Sequence, residues 1–135
     1  YKKPQLEEKY KQSRLGETDK QVLFDKVQQV LSSSKEVYEP DFSLQRLAEL
    51  VESNYKNVSQ VINEKAGCNF NSLLNDYRIK EACKRMNNTE EYGMYTIETI
   101  SRSVGFKSRS TFRQQFKRVT GLAPSEYQRA QKAGE

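Results

Sequence analysis

Two stretches of the sequence share one pattern of polar and apolar residues, and this repeat constrains the fold more than any other feature. Phe42-Ser43-Leu44 recurs as Tyr95-Thr96-Ile97, 53 residues further along the chain. In each copy the Ser or Thr is a favoured helix N-cap. Apolar or small residues then follow at positions i, i+3, i+4 and i+7, the spacing of an amphipathic helix with one buried face. They are Leu44, Leu47, Ala48 and Val51 in the first copy, and Ile97, Ile100, Ser101 and Val104 in the second.

A short turn and a second helix follow in both copies. The turn of the first copy is Ser53-Asn54, and that of the second copy is Gly105-Phe106-Lys107. Asn54 and Gly105 are the residues expected to adopt the left-handed conformation in these turns. Both copies end at a glycine, Gly67 or Gly121. The pattern predicts two helix-turn-helix units, although ordinary helical hairpins of an all-α domain have the same outline. The expected inward residues of the two second helices are Tyr55, Val58 and Ile62, and Phe112, Phe116 and Val119.

Helical periodicity extends to most of the chain around the repeat. Residues 1–17 lack it and contain Pro4 and Gly16, so we expect a linker or tether there. A first helix is expected to begin at the capping box formed by Thr18 and Gln21. A last helix is expected to begin at Pro124, a favoured first helical residue. The helix between the two copies has a buried face formed by Ile79, Ala82, Cys83 and Met86, with Cys83 as a small core residue.

The sequence therefore predicts an all-α fold of seven helices, in a domain that spans residues 18–135. The two helix-turn-helix units are expected over residues 43–67 and 96–121, joined by a long connecting helix over residues 69–87. The expected helices are residues 18–33, 43–52, 55–66, 69–87, 96–104, 108–120 and 124–131.

The composition excludes most catalytic and metal-binding chemistry. The chain has no histidine, so neither a Ser-His-Asp triad nor an imidazole zinc site can form. Its two cysteines, Cys68 and Cys83, are too few for an all-cysteine zinc site and fit a reducing cytoplasm. We therefore expect no enzymatic activity, no metal and no cofactor. There is no signal-peptide pattern and no apolar stretch long enough for a membrane span. Because the first residue is Tyr1, we interpret the sequence as part of a longer chain.

The net charge of +5 is concentrated in one part of the sequence. Residues 99–125 contain six basic residues and no acidic residue. A local cationic surface is what a phosphate backbone requires, although a solvated surface run is the simpler alternative. The six basic residues are Arg102, Lys107, Arg109, Arg113, Lys117 and Arg118.

The outward faces of the two second helices are rich in hydrogen-bonding side chains. In a helix-turn-helix unit the second helix enters the major groove, and its N-terminal half faces the base edges. Arginine pairs well with guanine there, and glutamine or asparagine with adenine. Neither face has an acidic residue in its first two turns, and Glu64 follows later. The outward residues are Lys56, Asn57, Ser59, Gln60 and Asn63 in the first unit, and Arg109, Ser110, Arg113, Gln114 and Lys117 in the second.

Residues 43–127 resemble the DNA-binding domain of the AraC/XylS family of bacterial transcription regulators. The first unit matches the family through Leu44, Leu47-Ala48, Ser59, Gly67 and Phe70, followed by Arg78 and Ala82 in the connecting helix. Val58 and Ile62 stand where the family often has Leu and Phe, and Ser101 stands where it usually has alanine. The second unit carries the more specific motif, which is Ile97, Ile100, Ser101, Gly105-Phe106, Ser108, Phe112, Phe116-Lys117, Gly121, Pro124 and Tyr127.

The resemblance implies that both recognition helices bind successive major-groove segments of double-stranded DNA, about 34 Å apart. By position, it implies base contacts from Lys56, Ser59, Gln60, Arg109, Ser110, Arg113 and Gln114. Phosphate contacts are assigned to Arg102, Lys107, Lys117 and Arg118.

The resemblance also implies features of the longer protein. Family members combine this domain with a sensing or dimerisation domain, and RNA polymerase is a further partner. Residues 1–40 are similar to the segment that precedes this domain in members with larger sensors, some of them membrane-bound. We therefore expect a cytoplasmic domain, from a parent protein that is either free or tethered to the inner membrane, with no small-molecule site in this fragment.

A second hypothesis belongs to a different functional class. In it the chain is a helical protein-interaction module whose basic face binds an acidic partner. The acid-free outward faces and the repeated caps favour DNA, and salt-dependent binding to duplex DNA separates the two hypotheses. Some relatives of the family carry a cysteine-based alkyl-acceptor module, but the required cysteine cluster is absent from this sequence.

Overall fold

The computed structural model describes residues 15–133, so the first fourteen residues of the expected tether lie outside the described part. Within residues 15–133 there are eight α-helices and no strands, and the predicted all-α fold is confirmed. A 3-10 turn, Lys35–Tyr38, follows α1, and a π-helical turn, Ile62–Ala66, continues α3. The helices are α1 (Glu17–Ser33), α2 (Leu44–Leu50), α3 (Tyr55–Val61), α4 (Phe70–Asn87), α5 (Thr89–Tyr92), α6 (Ile97–Ser103), α7 (Arg109–Thr120) and α8 (Pro124–Ala133).

The single-turn helix α5 is the one helix that the sequence pattern did not predict. It has no buried residue, so no apolar periodicity marks it. Asn88 caps it, because the Asn88 side chain accepts a hydrogen bond from the Glu91 N–H. The other seven helices lie at the predicted places. Their ends lie within two residues of the predicted ones, except that α3 ends at Val61 and the π-helical turn Ile62–Ala66 completes the predicted range 55–66. None of the helices within residues 15–133 combines the length and the apolar character needed to cross a membrane.

The described chain forms two compact units, each with one helix-turn-helix. Unit 1 contains the described residues up to Ser34 together with Phe42–Leu73. Unit 2 contains Lys35–Asp41 and the chain from Leu74 onwards. The connecting helix α4 therefore contributes its first turn to unit 1 and the remainder to unit 2.

The core of unit 1 forms where α1 packs on α2 and α3. The buried face of α1 follows the helical repeat, and Phe42 packs against Phe70 with 6.2 Å between the ring centroids. As predicted, Ser43 caps α2 through a hydrogen bond to its side chain from the Arg46 N–H. The fully or nearly fully buried residues of α1 are Leu23, Phe24, Val27 and Leu31.

Two local predictions in unit 1 are wrong, namely the N-cap of α1 and the left-handed residue of the turn between α2 and α3. The first helix does not use Thr18 as its cap: it begins at Glu17, after Gly16, which makes no side-chain capping bond. Acidic residues in that first turn, Glu17 and Asp19, favour the helix N-terminus electrostatically. The left-handed residue between α2 and α3 is Glu52, with φ of 55°, and not Asn54. Asn54 is extended and caps α3 instead, because its side chain accepts the Asn57 N–H.

The buried face of α3 is rotated from the predicted one. Tyr55 was expected inside but is 50% exposed, whereas Asn57 was expected outside and is 8% exposed. The Oδ1 atom of Asn57 is buried without a hydrogen-bond partner in the described chain. Val61, which the spacing argument missed, is fully buried beside Val58. Because α3 has only seven residues, its apolar positions fit more than one face.

Unit 2 has a core rich in aromatic residues. Phe112 and Phe116 of α7 are buried, and the Phe112 ring meets the Phe106 ring edge to face at a centroid distance of 5.2 Å. Tyr127 of α8 packs edge to face against Phe116 at 5.4 Å. Cys83 packs on this core as predicted, and burial raises the pKa of its thiol. The buried cluster consists of Ile79, Ala82, Met86, Ile100, Val104, Phe106, Phe112 and Phe116.

A buried arginine of α4 supports the turn of the second helix-turn-helix. The Arg78 guanidinium donates to the carbonyl oxygens of Val37 at 2.9 Å, Glu39 at 2.7 Å and Gly105 at 3.4 Å. Burial lowers the pKa of Arg78, and carbonyl oxygens rather than a carboxylate surround its charge within the described chain. Gly105 has φ of 106°, a conformation that L side chains rarely adopt. The buried guanidinium therefore holds the turn that precedes α7.

Candidate nucleic-acid interface

The outward face of α3 carries three of the predicted base-contacting residues. Lys56 is exposed, and Ser59 and Gln60 are half-buried on the same short helix. The Asn54 cap sets where the helix begins, and buried Val58 and Val61 set which side faces the core. The three predicted residues are therefore accessible on one element of unit 1.

Gln60 is held by a carboxylate at the end of this helix. Its Nε2 atom donates to Oε1 of Glu64 at 3.1 Å. Oε2 of the same carboxylate lies 2.9 Å from Nζ of Lys20, which is on α1. The hydrogen bond from Lys20, followed by that from Gln60, lowers the pKa of the Glu64 carboxyl group. Glu64 lies beyond the first two turns in sequence, but it still contacts a predicted base-contacting residue.

Helix α7 presents the longer and more strongly charged face. Ser108 caps it, because the Ser108 hydroxyl accepts the Thr111 N–H at 3.2 Å, and Gly121 ends it in the left-handed conformation. With Phe112 and Phe116 anchored in the core, the opposite face points to solvent. No acidic residue occurs in α7. The exposed residues of this face are Arg109, Ser110, Arg113, Gln114 and Lys117.

Four of the six basic residues in the acid-free run form ion pairs. Glu98 accepts from Arg102 and from Arg109, each at 3.0 Å. Nζ of Lys107 lies 2.9 Å from Oδ1 of Asp41. A guanidinium nitrogen of Arg118 lies 2.6 Å from Oδ1 of Asp76. These ion pairs are partly or largely exposed, so each contributes little to stability.

The remaining two basic residues, Arg113 and Lys117, are exposed and one helical turn apart on α7. The side chain of neither residue forms an ion pair or a hydrogen bond with any residue in the range 15–133. Their charges are therefore available to a ligand without the loss of an existing contact in that range.

The sequence analysis did not identify the acidic partners of these basic residues. Glu98 stands one residue before the acid-free run and four residues before Arg102, a spacing at which helical side chains meet. That pair was detectable from the sequence alone. Asp41 and Asp76 are 66 and 42 residues away from their basic partners, so only the tertiary fold brings them together.

Comparison with known proteins agrees with this architecture. A family model described as a helix-turn-helix domain matches residues 47–130, which is more than half of the chain. The chain belongs to the AraC-type helix-turn-helix family. The resemblance drawn from the motif of the second unit is thereby confirmed.

Relatives within this family include several proteins of Staphylococcus aureus. An uncharacterized HTH-type transcriptional regulator from strain COL is 33% identical over 103 residues, which cover 76% of this chain. A protein of the same description from strain MRSA252 is also 33% identical over 103 residues. In both cases the match covers 13% of the relative, so the chain spans a small part of the length of these proteins.

Two solved structures share the fold of this AraC-type chain. A protein of unknown function from Listeria innocua has a TM-score of 0.62 at 28% identity, covering 77% of this chain and 95% of that one. The C-terminal domain of AraT, a response regulator from Geobacillus stearothermophilus, has a TM-score of 0.64 at 25% identity. That match covers 87% of this chain and 88% of the AraT domain.

Proposed function

We propose that the chain binds double-stranded DNA with sequence preference and regulates bacterial transcription. In this proposal α3 and α7 are the recognition helices, and they occupy successive major-groove segments of one duplex. The observation that supports it most is the outward face of α7. This face is free of acidic residues and presents Arg113 and Lys117, whose side chains have no ion-pair partner among residues 15–133. Membership of the AraC-type family, whose relatives are named as transcriptional regulators, supports the same function.

The side chains divide into two proposed roles. Arginine and glutamine at exposed positions in the N-terminal half of a recognition helix suit the acceptor and donor pattern of purine edges. We assign base contacts to Lys56, Ser59, Gln60, Arg109, Ser110, Arg113 and Gln114. The remaining basic residues are assigned to phosphates, which position the protein without distinguishing sequences. These are Arg102, Lys107, Lys117 and Arg118.

We infer that the chain is the DNA-binding part of a longer cytoplasmic regulator. The Staphylococcus aureus relatives are much longer than the matched region, and the AraT match is the C-terminal domain of a response regulator. A sensing or dimerisation domain in the parent protein and contact with RNA polymerase belong to this proposal. In this proposal the other domains of the parent protein control DNA binding, and this chain supplies the residues that contact the DNA.

The test is the salt dependence of binding to duplex DNA. Exposed ion pairs are worth only about 0–1 kcal/mol each, so most of them open readily when a phosphate replaces the carboxylate. If about 5–7 phosphates are neutralised, log K against log salt should have a slope of about −5 to −6. A fluorescence anisotropy titration of a labelled duplex at four salt concentrations measures it. A slope near zero would contradict DNA binding and favour the protein-interaction module with an acidic partner.

A further inference from the structure

We propose that Glu98 is a positioning residue that sets the sequence specificity of α7. Its carboxylate holds Arg109 in the orientation needed for a base contact, and it also neutralises charge that would otherwise bind any duplex. The inference rests on the proposed DNA-binding function and extends it to a residue outside the recognition helix.

The carboxylate connects two arginines of unit 2. Glu98 lies in the first turn of α6, and its Oε1 accepts from Arg102 while its Oε2 accepts from Arg109, each at 3.0 Å. Arg102 is on the same helix, whereas Arg109 is the first residue of α7. One acidic side chain therefore uses both oxygens to fix the outer ends of two arginines from different helices.

The fold of unit 2 determines where the backbone of Glu98 lies. The side chain of Glu98 is 38% exposed, compared with 72% for Arg102 and 80% for Arg109. Thr96 caps α6, and Ile100 of the same helix is buried in the core of unit 2. An exposed arginine normally samples many rotamers, and the contact with Glu98 favours one orientation of Arg109.

An arginine tied in this way keeps donors for a ligand. The hydrogen bond to Glu98 uses Nη2 of Arg109, and the guanidinium has five N–H donors in all. A bidentate contact with guanine needs only two of them. Because immobilising a flexible side chain on binding costs free energy, an arginine that is already oriented loses less on forming that contact.

The same carboxylate lowers the charge available for contacts that ignore sequence. It is the ion-pair partner of both Arg102 and Arg109 within the described chain. Non-specific binding to DNA is almost entirely electrostatic, so a removed negative charge strengthens it on every sequence. Glu98 is therefore expected to weaken non-specific binding and to strengthen the preferred contact, and both effects raise specificity.

The experiment compares Glu98→Gln with a matched control, Glu90→Gln. Both variants change the net charge equally, both lie in unit 2, and Glu90 is exposed, with no side-chain hydrogen bond or ion pair to other residues in the range 15–133. Dissociation constants are measured for the duplex that the wild-type chain selects from a random library and for a scrambled duplex. For Glu98→Gln we expect tighter binding to the scrambled duplex. The dissociation constant for the scrambled duplex divided by that for the selected duplex should fall about three- to tenfold. For Glu90→Gln the ratio should stay at the wild-type value.

A double variant identifies the residue through which Glu98 acts. If Glu98 orients Arg109, the Glu98→Gln change should no longer lower the ratio of the scrambled-duplex constant to the selected-duplex constant once Arg109→Ala is present. An unchanged ratio in Glu98→Gln, or an equal fall in the ratio with and without Arg109, would overturn the inference while leaving DNA binding intact. Wild-type chain that binds no duplex would instead overturn the proposed function, and the inference with it. Thermal unfolding of each variant shows that the changes do not arise from loss of the fold.

Discussion

Alanine in place of Gly105 is expected to destabilise unit 2 by about 3–5 kcal/mol, through backbone strain and through displacement of a buried arginine. The φ of Gly105 is 106°, and a Cβ atom there would lie 2.7 Å from Cζ of Arg78. Arg78 cannot move away freely, because its guanidinium donates to three carbonyl oxygens, of Val37, Glu39 and Gly105 itself. Each buried carbonyl left unpaired costs about 1–3 kcal/mol.

Gly121→Ala is the matched control for this prediction. Gly121 also has a positive φ, of 82°, but apart from the glycine itself and its two chain neighbours no heavy atom of the described chain lies within 4 Å of the added Cβ. Its replacement should cost only the left-handed conformation, about 1–2 kcal/mol. Native-state hydrogen exchange of amides in α6 and α7 reports the stability of unit 2. Equal losses of protection in the two variants would show that the contact between Arg78 and the turn is unimportant.

The Arg113→Ala variant is expected to weaken binding to the preferred duplex by about 1–3 kcal/mol and to relax the choice at one base pair. Arg113 follows Phe112, whose buried ring sets the rotation of α7, so the arginine projects from the exposed face in the first half of the helix. It has no ion-pair partner in the described chain, so its removal exposes no new charge. Titrations against the selected duplex and its single-base variants measure the effect.

Lys117→Ala provides the comparison within the same face. Lys117 is also exposed and unpaired with the described residues, but it lies one turn further along α7. As a phosphate contact it should weaken all duplexes alike and reduce the salt slope by about one unit. Equal losses on every duplex for Arg113→Ala would place that residue on a phosphate, and the base-contacting role would move to Arg109 or Gln114.

Unit 2 was predictable from the sequence because its determinants are local. The cap Thr96, the turn glycine Gly105 and the pair Phe112 and Phe116 all occupy the predicted conformations and faces. Each of these features depends on residues within four positions of itself. Helix type, turn position and inward face therefore follow directly from residue types and spacing.

Unit 1 was less predictable because its turn and its recognition helix lack such determinants. The left-handed position is occupied by Glu52, a residue type that gives no indication of positive φ. The helix that follows has seven residues, and the aromatic Tyr55 suggested an inward face that Asn57 and Val61 occupy instead. Tertiary packing against α1 decided this rotation, and no local spacing contains that information.

For the candidate site, the sequence predicted which side chains are exposed better than it predicted which ion pairs they form. Exposed positions on α7 follow from the buried phenylalanines, so the five residues predicted to point outward from this helix are all exposed. The ion pairs of Lys107 and Arg118 depend on acidic residues that are distant in sequence. Such ion pairs determine how many of the basic side chains are available to a ligand. The number of basic residues in the run does not show how many of them are paired.

The most direct test of the proposed recognition by two helices is a selection of bound duplexes from a random library. It is carried out in parallel with the wild-type chain, Gln60→Ala and Arg113→Ala, and the bound DNA is sequenced. We expect the wild-type chain to enrich two short groups of base pairs whose centres are about 10 base pairs apart. Gln60→Ala should lose preference in one group only, and Arg113→Ala in the other only. Enrichment of no sequence by the wild-type chain, or loss of the same base pairs in both variants, would contradict the account.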